Sequence, residues 1–428
     1  MIRLESDPVA RNKAIAACDI HLGTCVLQEA TLASVLLPAE KGRRCDACFR
    51  SNGSLKRCSG CASYWYCNAE CQNLHWILVH RQMCKKFARF MASSAFQVLS
   101  EHEKMDAILL SHLVVQIADL SDTQSKPASV FLSLLPGPTT NSHIPPICTT
   151  PSSITKDTLA KLYTRFGNNN FAVQSHLDTI GHGIFPNASR FFNHSCMPNA
   201  AAKYQFTQAQ QVTMEVVALR DITAGEEICL TYLDPALLQS RQQIFEISYG
   251  FVCSCQSCQH LRRLGPLPLP PSTDEVITRL GKALQLYVGL NDVVGPNLPY
   301  MTFDSLPKRL LPVLQESYIT SLSEIFSRTS HEANYEQANE TGLMLLALYL
   351  LVYPKNYPQI GAHLLEMAKT HWNTLVTSQI NQDMEHAAKE KIRNLLQHAR
   401  DVLNVMGHEG DGKGRLDEVD VLQDLLNE

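Results

Sequence analysis

Between residues 45 and 84 the chain places Cys45, Cys48, Cys58, Cys61, Cys67, Cys71, His80 and Cys84 in the spacing C-x2-C-x9-C-x2-C-x5-C-x3-C-x8-H-x3-C. Seven cysteines and a histidine in so short a segment are not a core composition. Zinc favours four thiolate or imidazole ligands in a tetrahedron, and two ligands separated by two or three residues can close on one ion from a single turn. Eight ligands in four such pairs imply two structural zinc ions, each with a full protein shell and no open position for catalysis. Spacing alone leaves open which pairs share an ion.

The rest of the composition narrows the setting. The chain has 428 residues, 45% hydrophobic and 18% charged, which is material for more than one buried core. Its fifteen cysteines are too few for a disulfide scaffold of this length. The opening MIRLESDPVARNK lacks the apolar core of a secretory signal, so reduced or metal-bound thiols are expected. The longest apolar run, LMLLALYLLVY at 343–353, stops at Pro354, whereas spanning a bilayer takes about twenty residues. It reads as a buried helix of a soluble protein with no membrane partner. The net charge of −4 argues against a chain that coats nucleic acid. Residues 41–90 are locally basic, with Lys41, Arg43, Arg44, Arg50, Lys56, Arg57, Arg81, Lys85, Lys86 and Arg89 against only Asp46 and Glu70. This patch reads as a solvated face or an acidic-partner contact, with nucleic-acid binding weak or absent.

Periodicity divides the chain. CVLQEATLASVLL at 25–37 predicts strands. Residues 91–120 have helical spacing, 121–158 are rich in Ser, Thr and Pro and read as a long loop, and KDTLAKLYTRF at 156–166 predicts a helix. Strand-like runs follow, broken by Gly181, Gly183, Pro186 and Gly225. GPLPLPPST at 265–273 predicts a stiff extended linker. Beyond it, helical spacing recurs through 276–290, 306–326, 336–353, 358–376 and 383–406, without a convincing 34-residue repeat signature. The tail GHEGDGKGRLDE reads as polar before a last short helix.

Two further segments carry chemistry. GHGIFPNASRFFNHSCMPNA spans 181–200, and GEEICLTYLD spans 225–234; Cys253, Cys255 and Cys258 follow as C-x-C-x2-C. Each alone could be structural, since Asn, His, Ser and Pro are good turn residues. In this order, NHSCMPN, GEEICLTY and CSCQSC resemble the core and post-SET region of SET-domain protein lysine methyltransferases. Residues 45–84, with YWYC at 64–67 and Trp76, resemble a MYND zinc finger. A SET segment split by such a finger and followed by helices resembles the SMYD family, of which the chain reads as a divergent, fungal-like member. The resemblance implies a mixed α+β fold: residues 1–44 the first part of the SET domain, 45–84 the finger, 91–165 a helical insert and loop, 166–234 the SET core, 235–262 the post-SET region and 274–428 a helical C-terminal domain.

The resemblance also implies roles. Cys45, Cys48, Cys67 and Cys71 would share one zinc, Cys58, Cys61, His80 and Cys84 a second, and Cys196, Cys253, Cys255 and Cys258 a third. Tyr232 would be the catalytic tyrosine and Tyr249 a channel aromatic beside it. Asn193, His194, Phe251 and Asn170 would contact S-adenosylmethionine, and Phe171, with Asn169 and Asn170 in FGNNNF, would line the lysine channel. The family's glycine-bearing N-terminal cofactor loop aligns with VARNKAIAACDIHLG, which has no glycine before Gly23, so Asn12 and Lys13 are its nearest counterparts. The implied partners are a lysine-containing protein substrate and proline-containing peptides at the finger, and the implied state is a monomer in nucleus and cytoplasm. The competing reading is a non-catalytic adaptor on a degenerate SET core.

Overall fold

The structure, a computed structural model, describes residues 1–120, 126–138, 143–269, 273–290, 297–377, 382–408, 412 and 414–427. At the amino end, β1 (Ile2–Asp7) and β2 (Arg11–Ala16) form an antiparallel hairpin. Its turn is held by the Asp7 carboxylate, which accepts from the backbone N–H groups of Val9 and Ala10 at 2.8 and 2.7 Å. The stretch predicted as strands becomes β3 (Cys25–Ala30) and β4 (Ala33–Leu36).

The finger has little regular structure of its own, as expected where metal ligation substitutes for a core. It contains β5 (Lys56–Arg57), β6 (Trp65–Tyr66) and a continuous helical rod built from α1 (Ala69–His75), a π-helical turn over Trp76–His80, and α2 (Arg81–Met91). Asn68 starts the rod by accepting from Cys71 N at 3.0 Å, the usual N-cap device. The one extra residue in the π turn changes the phase of the helix between Cys71 and the pair His80, Cys84. Then come α3 (Ser94–Gln97), α4 (Glu101–Leu120), α5 (Lys126–Ser133) and α6 (Lys156–Phe166). Helix α5 lies inside the stretch read as a long loop. Pro127 is tolerated in its first turn, and the fully buried Phe131 anchors it, so tertiary packing overrides the Ser/Thr/Pro signal. Residues 121–125 and 139–142 of that stretch lie outside the described residues.

The second half of the SET region supplies β7 (Phe171–Ser175), β8 (Asp178–Ile184), α7 (Pro186–Phe191), β9 (Asn193–His194), β10 (Ala200–Gln205), β11 (Thr213–Ala218) and β12 (Cys229–Leu230). Its strands pair with those from before the finger, giving the sheets β4-β8-β7 and β10-β11-β3. β9 and β12 pair in parallel, Asn193 opposite Cys229 and His194 opposite Leu230. Then α8 (Arg241–Ile244), a second π-helical turn over Phe245–Tyr249, and α9 (Gln256–Leu264) lead to the linker. Residues 270–272 of the linker lie outside the described residues.

The C-terminal part is helical, with α10 (Asp274–Val288), α11 (Glu316–His331), α12 (Tyr335–Val352), α13 (Pro358–Thr377), α14 (Gln382–Met406) and α15 (Arg415–Asn427). Helix α11 starts ten residues later than the spacing predicts, because Pro307 and Pro312 restrict Lys308–Leu314 to a 3-10 turn. In the tail, residues 409–411 and 413 lie outside the described residues. Three larger apolar clusters result. One unites α10–α15 and extends onto the SET side through Val217, Leu219 and Leu238. A second joins the finger to α4–α6 and to Leu32, Val35 and Ile184 of the SET sheets, and a third fills the SET sheets around Phe185, Tyr204 and Val216.

Gly181 sits where β8 crosses β4 and the finger. A Cβ there would fall on the Val35 carbonyl oxygen and within 2.7 Å of Phe49 Cε2. Gly181→Ala is expected to destabilise the fold by about 2 kcal/mol, the scale of an overpacked core, as a lower urea midpoint. His363 in α13 donates from Nε2 to Gly342 O at 2.8 Å among the rings of Phe326 and Tyr349. Burial pushes its pKa down to about 4. An unfolded histidine titrates near 6.5, so this contribution is complete above that pH and is lost as pH falls toward 4. Urea unfolding at pH 7 and pH 5 should differ by about 2 kcal/mol from this group, a difference that His363→Gln should remove.

Candidate active site and metal centres

Metal-ligating atoms gather in three groups, Cys45/Cys48/Cys67/Cys71, Cys58/Cys61/His80/Cys84 and Cys196/Cys253/Cys255/Cys258, with all ligand atoms of a group within 4.8 Å of one another. These are the groupings the resemblance implies. Around tetrahedral zinc with Zn–S bonds of about 2.3 Å, sulfurs lie about 3.8 Å apart. Cys48 Sγ is 3.8 Å from both Cys67 Sγ and Cys71 Sγ. In the second group Cys58 and Cys84 are 3.9 Å apart, and His80 Nε2 is 3.3 and 3.5 Å from Cys58 and Cys61. In the third, Cys196 is 3.9 Å from Cys253 and 3.4 Å from Cys258. The donor sets and spacings fit zinc.

An independent observation at the third group agrees. Arg241 is 1% exposed, and its guanidinium meets only the Ser257 hydroxyl at 2.6 Å and the Pro235 carbonyl at 3.3 Å, with Nε unpartnered. A buried guanidinium needs negative charge nearby. Arg241 acts electrostatically on Cys196 and Cys258. Four thiolates on Zn2+ carry a net charge of about −2 and would supply that counter-charge, whereas four thiols would not.

The finger is wired to the SET sheet by polar groups as well. His112 on α4 donates from Nδ1 to Ser34 O of β4 at 2.9 Å and accepts at Nε2 from the Tyr64 hydroxyl at 3.0 Å. Burial lowers its pKa to about 3, so it stays a neutral bridge. Tyr66 bonds to Nδ1 of His75 at 2.9 Å, and the His75 ring stacks on that of His80 at 5.6 Å. The aromatics of YWYC thus support the ligand His80.

Beside the third group, β9, β12 and the second π turn assemble an aromatic cluster. The Tyr232 hydroxyl donates to Phe192 O at 2.8 Å, and Tyr232 N donates to His194 Nδ1 at 3.0 Å. The Tyr232 ring lies 5.1 Å from Tyr249 and 6.4 Å, edge-on, from Phe251. Phe245 is fully buried beneath them, 4.3 Å from His194 and stacked on Phe251 at 5.0 Å. Sequence reasoning missed Phe245 and Arg241; four-residue spacing from Tyr249 along one helical stretch was the available signal for Phe245. Burial raises the pKa of Tyr232 and of Tyr249, so both hydroxyls stay protonated near neutrality. Burial likewise lowers His194 to about 4, keeping Nδ1 as an acceptor.

Asn193 donates from Nδ2 to Asn12 O at 3.1 Å and to Glu227 at 2.8 Å. Asn199 of NHSCMPN accepts from Cys229 N at 2.9 Å and donates to Glu227 O at 2.8 Å, so the two motifs are stitched together. Asn12 and Lys13 lie on strand β2, where Lys13 approaches Glu5 at 3.8 Å.

Tyr232 and Tyr249 face a cavity of about 380 Å³ whose wall also includes Asn169, Asn170 and Phe171. Asn193, His194, Phe251, Asn12 and Lys13 are outside its lining; His194 packs against Tyr232 with ring centroids 5.3 Å apart. The C-terminal region contributes Gln359, Leu403 and Met406 from its helices and Tyr357 from the loop before α13. On the SET side of the cavity, Asn170 Oδ1 and Ser189 Oγ are buried without a hydrogen-bond partner among the described residues. Buried polar atoms are seldom left so, and these two fit a polar ligand.

Short strands split by a zinc-bearing insert, a parallel β9/β12 contact and a thiolate-tied aromatic cluster define a SET-domain protein. Residues 13–233 match the SET domain family, and the chain belongs to it. It is similar to N-lysine methyltransferase SMYD2 of Homo sapiens, 24% identical over 393 residues and 84% of each chain. It is 26% identical over 274 residues to N-lysine methyltransferase SMYD2-B of Xenopus laevis, covering 57% of this chain and 59% of that protein. Histone-lysine N-methyltransferase ASHR1 of Arabidopsis thaliana is 27% identical over 280 residues, 59% of this chain and 54% of that protein. Several of these matches thus span little more than half of the relative's length. A SET domain implies S-adenosylmethionine, and the partnerless acceptors of the cavity wall fit a ligand with ammonium and hydroxyl donors.

Native mass spectrometry is expected to find three zinc ions per chain, and Cys255→Ser only two. Because the third group holds Phe251 and Tyr249 in place, this variant should also bind S-adenosylmethionine about tenfold more weakly; unchanged affinity would dissociate the metal from the site.

Proposed function

We propose that the chain is an S-adenosylmethionine-dependent protein-lysine N-methyltransferase. The observation that carries the reading is the Tyr232 hydroxyl, protonated, fixed by Phe192 O and packed beside Tyr249 in the wall of a cavity that the C-terminal region also lines. S-adenosylmethionine, when bound, supplies the methyl group on a sulfonium. Asn193, His194, Phe251 and Asn170 would hold it, with Asn12 and Lys13 at its edge. The amine nitrogen forms the new N–C bond with its lone pair as the S–C bond breaks, so it must arrive neutral. A lysine of pKa about 10.4 is rarely neutral at pH 7, and desolvation in an aromatic channel favours the uncharged amine. Tyr249 and Phe171 supply that channel, and the Tyr232 oxygen orients the nitrogen. Since burial raises its pKa, Tyr232 is a positioning and polarising group and not a general base.

The finger is proposed to dock proline-containing peptides. Trp76 and Ile77 support this: they are 38% and 57% exposed on the helical rod of an otherwise ligand-packed module. One observation favours the adaptor reading, the glycine-free strand that holds Asn12 and Lys13 in regular pairing with β1. Titration calorimetry with S-adenosylmethionine decides between them. Measurable binding with methyl transfer to protein lysine is expected, and Tyr232→Phe should lower kcat by about a hundredfold with cofactor affinity kept. No heat at millimolar cofactor would leave the adaptor.

A further inference from the structure

The cavity wall also carries charge that the methyl-transfer chemistry does not use. Among the described residues its wall includes Lys203, Arg415, His176 and His408, with Asp234, two residues from Tyr232, as the one carboxylate. Lys203 is already neutralised, paired with Glu215 at 3.3 Å and bonded to Met406 O. Arg415 is not. Half-buried at the start of α15, it donates to the His176 carbonyl at 2.8 Å and has no carboxylate partner among the described residues. Asp417, the nearest acid on the helix, is turned away and accepts from Gly414 N at 2.6 Å. The first turn of a helix adds positive potential at the same place.

The opposing wall is held in an uncommon shape. The two-residue turn between β7 and β8 has both His176 and Leu177 in the left-handed region, φ 53° and 75°. Such turns favour Asn-Gly, because a branched side chain is strained there. Both residues line the cavity, and the Arg415 guanidinium clamps the turn through the His176 carbonyl. Gly414 lets the helix approach this close, since a Cβ there would meet the His176 ring at 2.6 Å.

We infer that Arg415, presented by the clamped His176–Leu177 turn and the start of α15, forms a subsite for an acidic side chain of the protein substrate, flanking the target lysine. The inference rests on the methyltransferase reading and names the class of substrate for that site. A guanidinium with donors to spare recognises a carboxylate by charge-assisted, often bidentate, hydrogen bonds. The cavity is therefore polarised, acidic at Asp234 beside the channel and basic at Arg415, and discriminates among lysines by their neighbours.

The test uses the full chain and a set of peptides with one central lysine and Glu, Gln or Lys at a single flanking position, scanned over both sides. At one flank Glu should raise kcat/KM about tenfold over Gln and more over Lys, the scale of one charge-assisted contact. Arg415→Glu should reverse that order and Arg415→Gln should flatten it, with thermal unfolding confirming that each variant is folded. The same ranking in wild type and both variants, or no acidic preference at any flank, overturns the inference. If the peptides are not methylated, fluorescence anisotropy of the same labelled set reads the ranking directly, and absence of binding or of an Arg415-dependent order overturns it equally. Absent methylation together with silent cofactor calorimetry counts against the methyltransferase reading, while the binding order still judges the subsite.

Discussion

Four sulfurs and one buried guanidinium hold the active end of this molecule together. Cys196 comes from the SET core, while Cys253, Cys255 and Cys258 come from the segment after Tyr249 and Phe251. Short stretches of chain with few apolar contacts cannot fix aromatic rings to within an ångström. A tetrathiolate metal centre can, because it replaces many weak contacts with four strong directional bonds. With zinc bound, Arg241 would make that centre tolerable in a buried place by supplying opposite charge, and Ser257 and Pro235 orient the arginine. Phe245 then has a fixed surface on which to stack Phe251 and His194, and Tyr232 inherits its position from both.

The same logic holds across the split in the SET region. Strands β3 and β4 find their partners β11 and β8 only after the finger and α1–α6 have intervened, so the sheets close long loops. What keeps the two halves in register is that the insert docks back on them. His112 links β4 to Tyr64, Phe49 lies over Gly181, and one apolar cluster runs from the finger through α4 to the sheet. The finger is therefore part of the SET core's support as well as a surface module. Its candidate zinc ligand His80 rests on His75, and Tyr66 holds His75 in turn.

Much of the site was legible in the chain. Ligand spacing announced metal, NHSCMPN and GEEICLTY marked the β9/β12 contact, and the aromatics before CSCQSC pointed to Tyr249 and Phe251. The residues that escaped notice share a physical trait. Arg241 and Phe245 lie on an unremarkable helix, and their importance comes from what they face. Helix α5 was hidden because Ser, Thr and Pro read as a loop when Phe131 has no visible partner. The resemblance implies a loop at Asn12 and Lys13, and they lie on β2 because residues 2–7 provide a complementary strand.

By itself the sequence determined the number and kind of metal ligands, the order of modules, the helical character of the C-terminal half and the tyrosine at the end of GEEICLTY. These are local properties, set by spacing, periodicity and side-chain chemistry. Only the tertiary structure decided what stands opposite that tyrosine. Gln359, Met406 and Arg415 reach the cavity from helices more than a hundred residues away, Tyr357 from the loop before α13, and the His176–Leu177 turn meets α15 beside it. No local pattern encodes that wall, because it forms where the C-terminal helices pack onto the SET side and its chemistry belongs to neither alone.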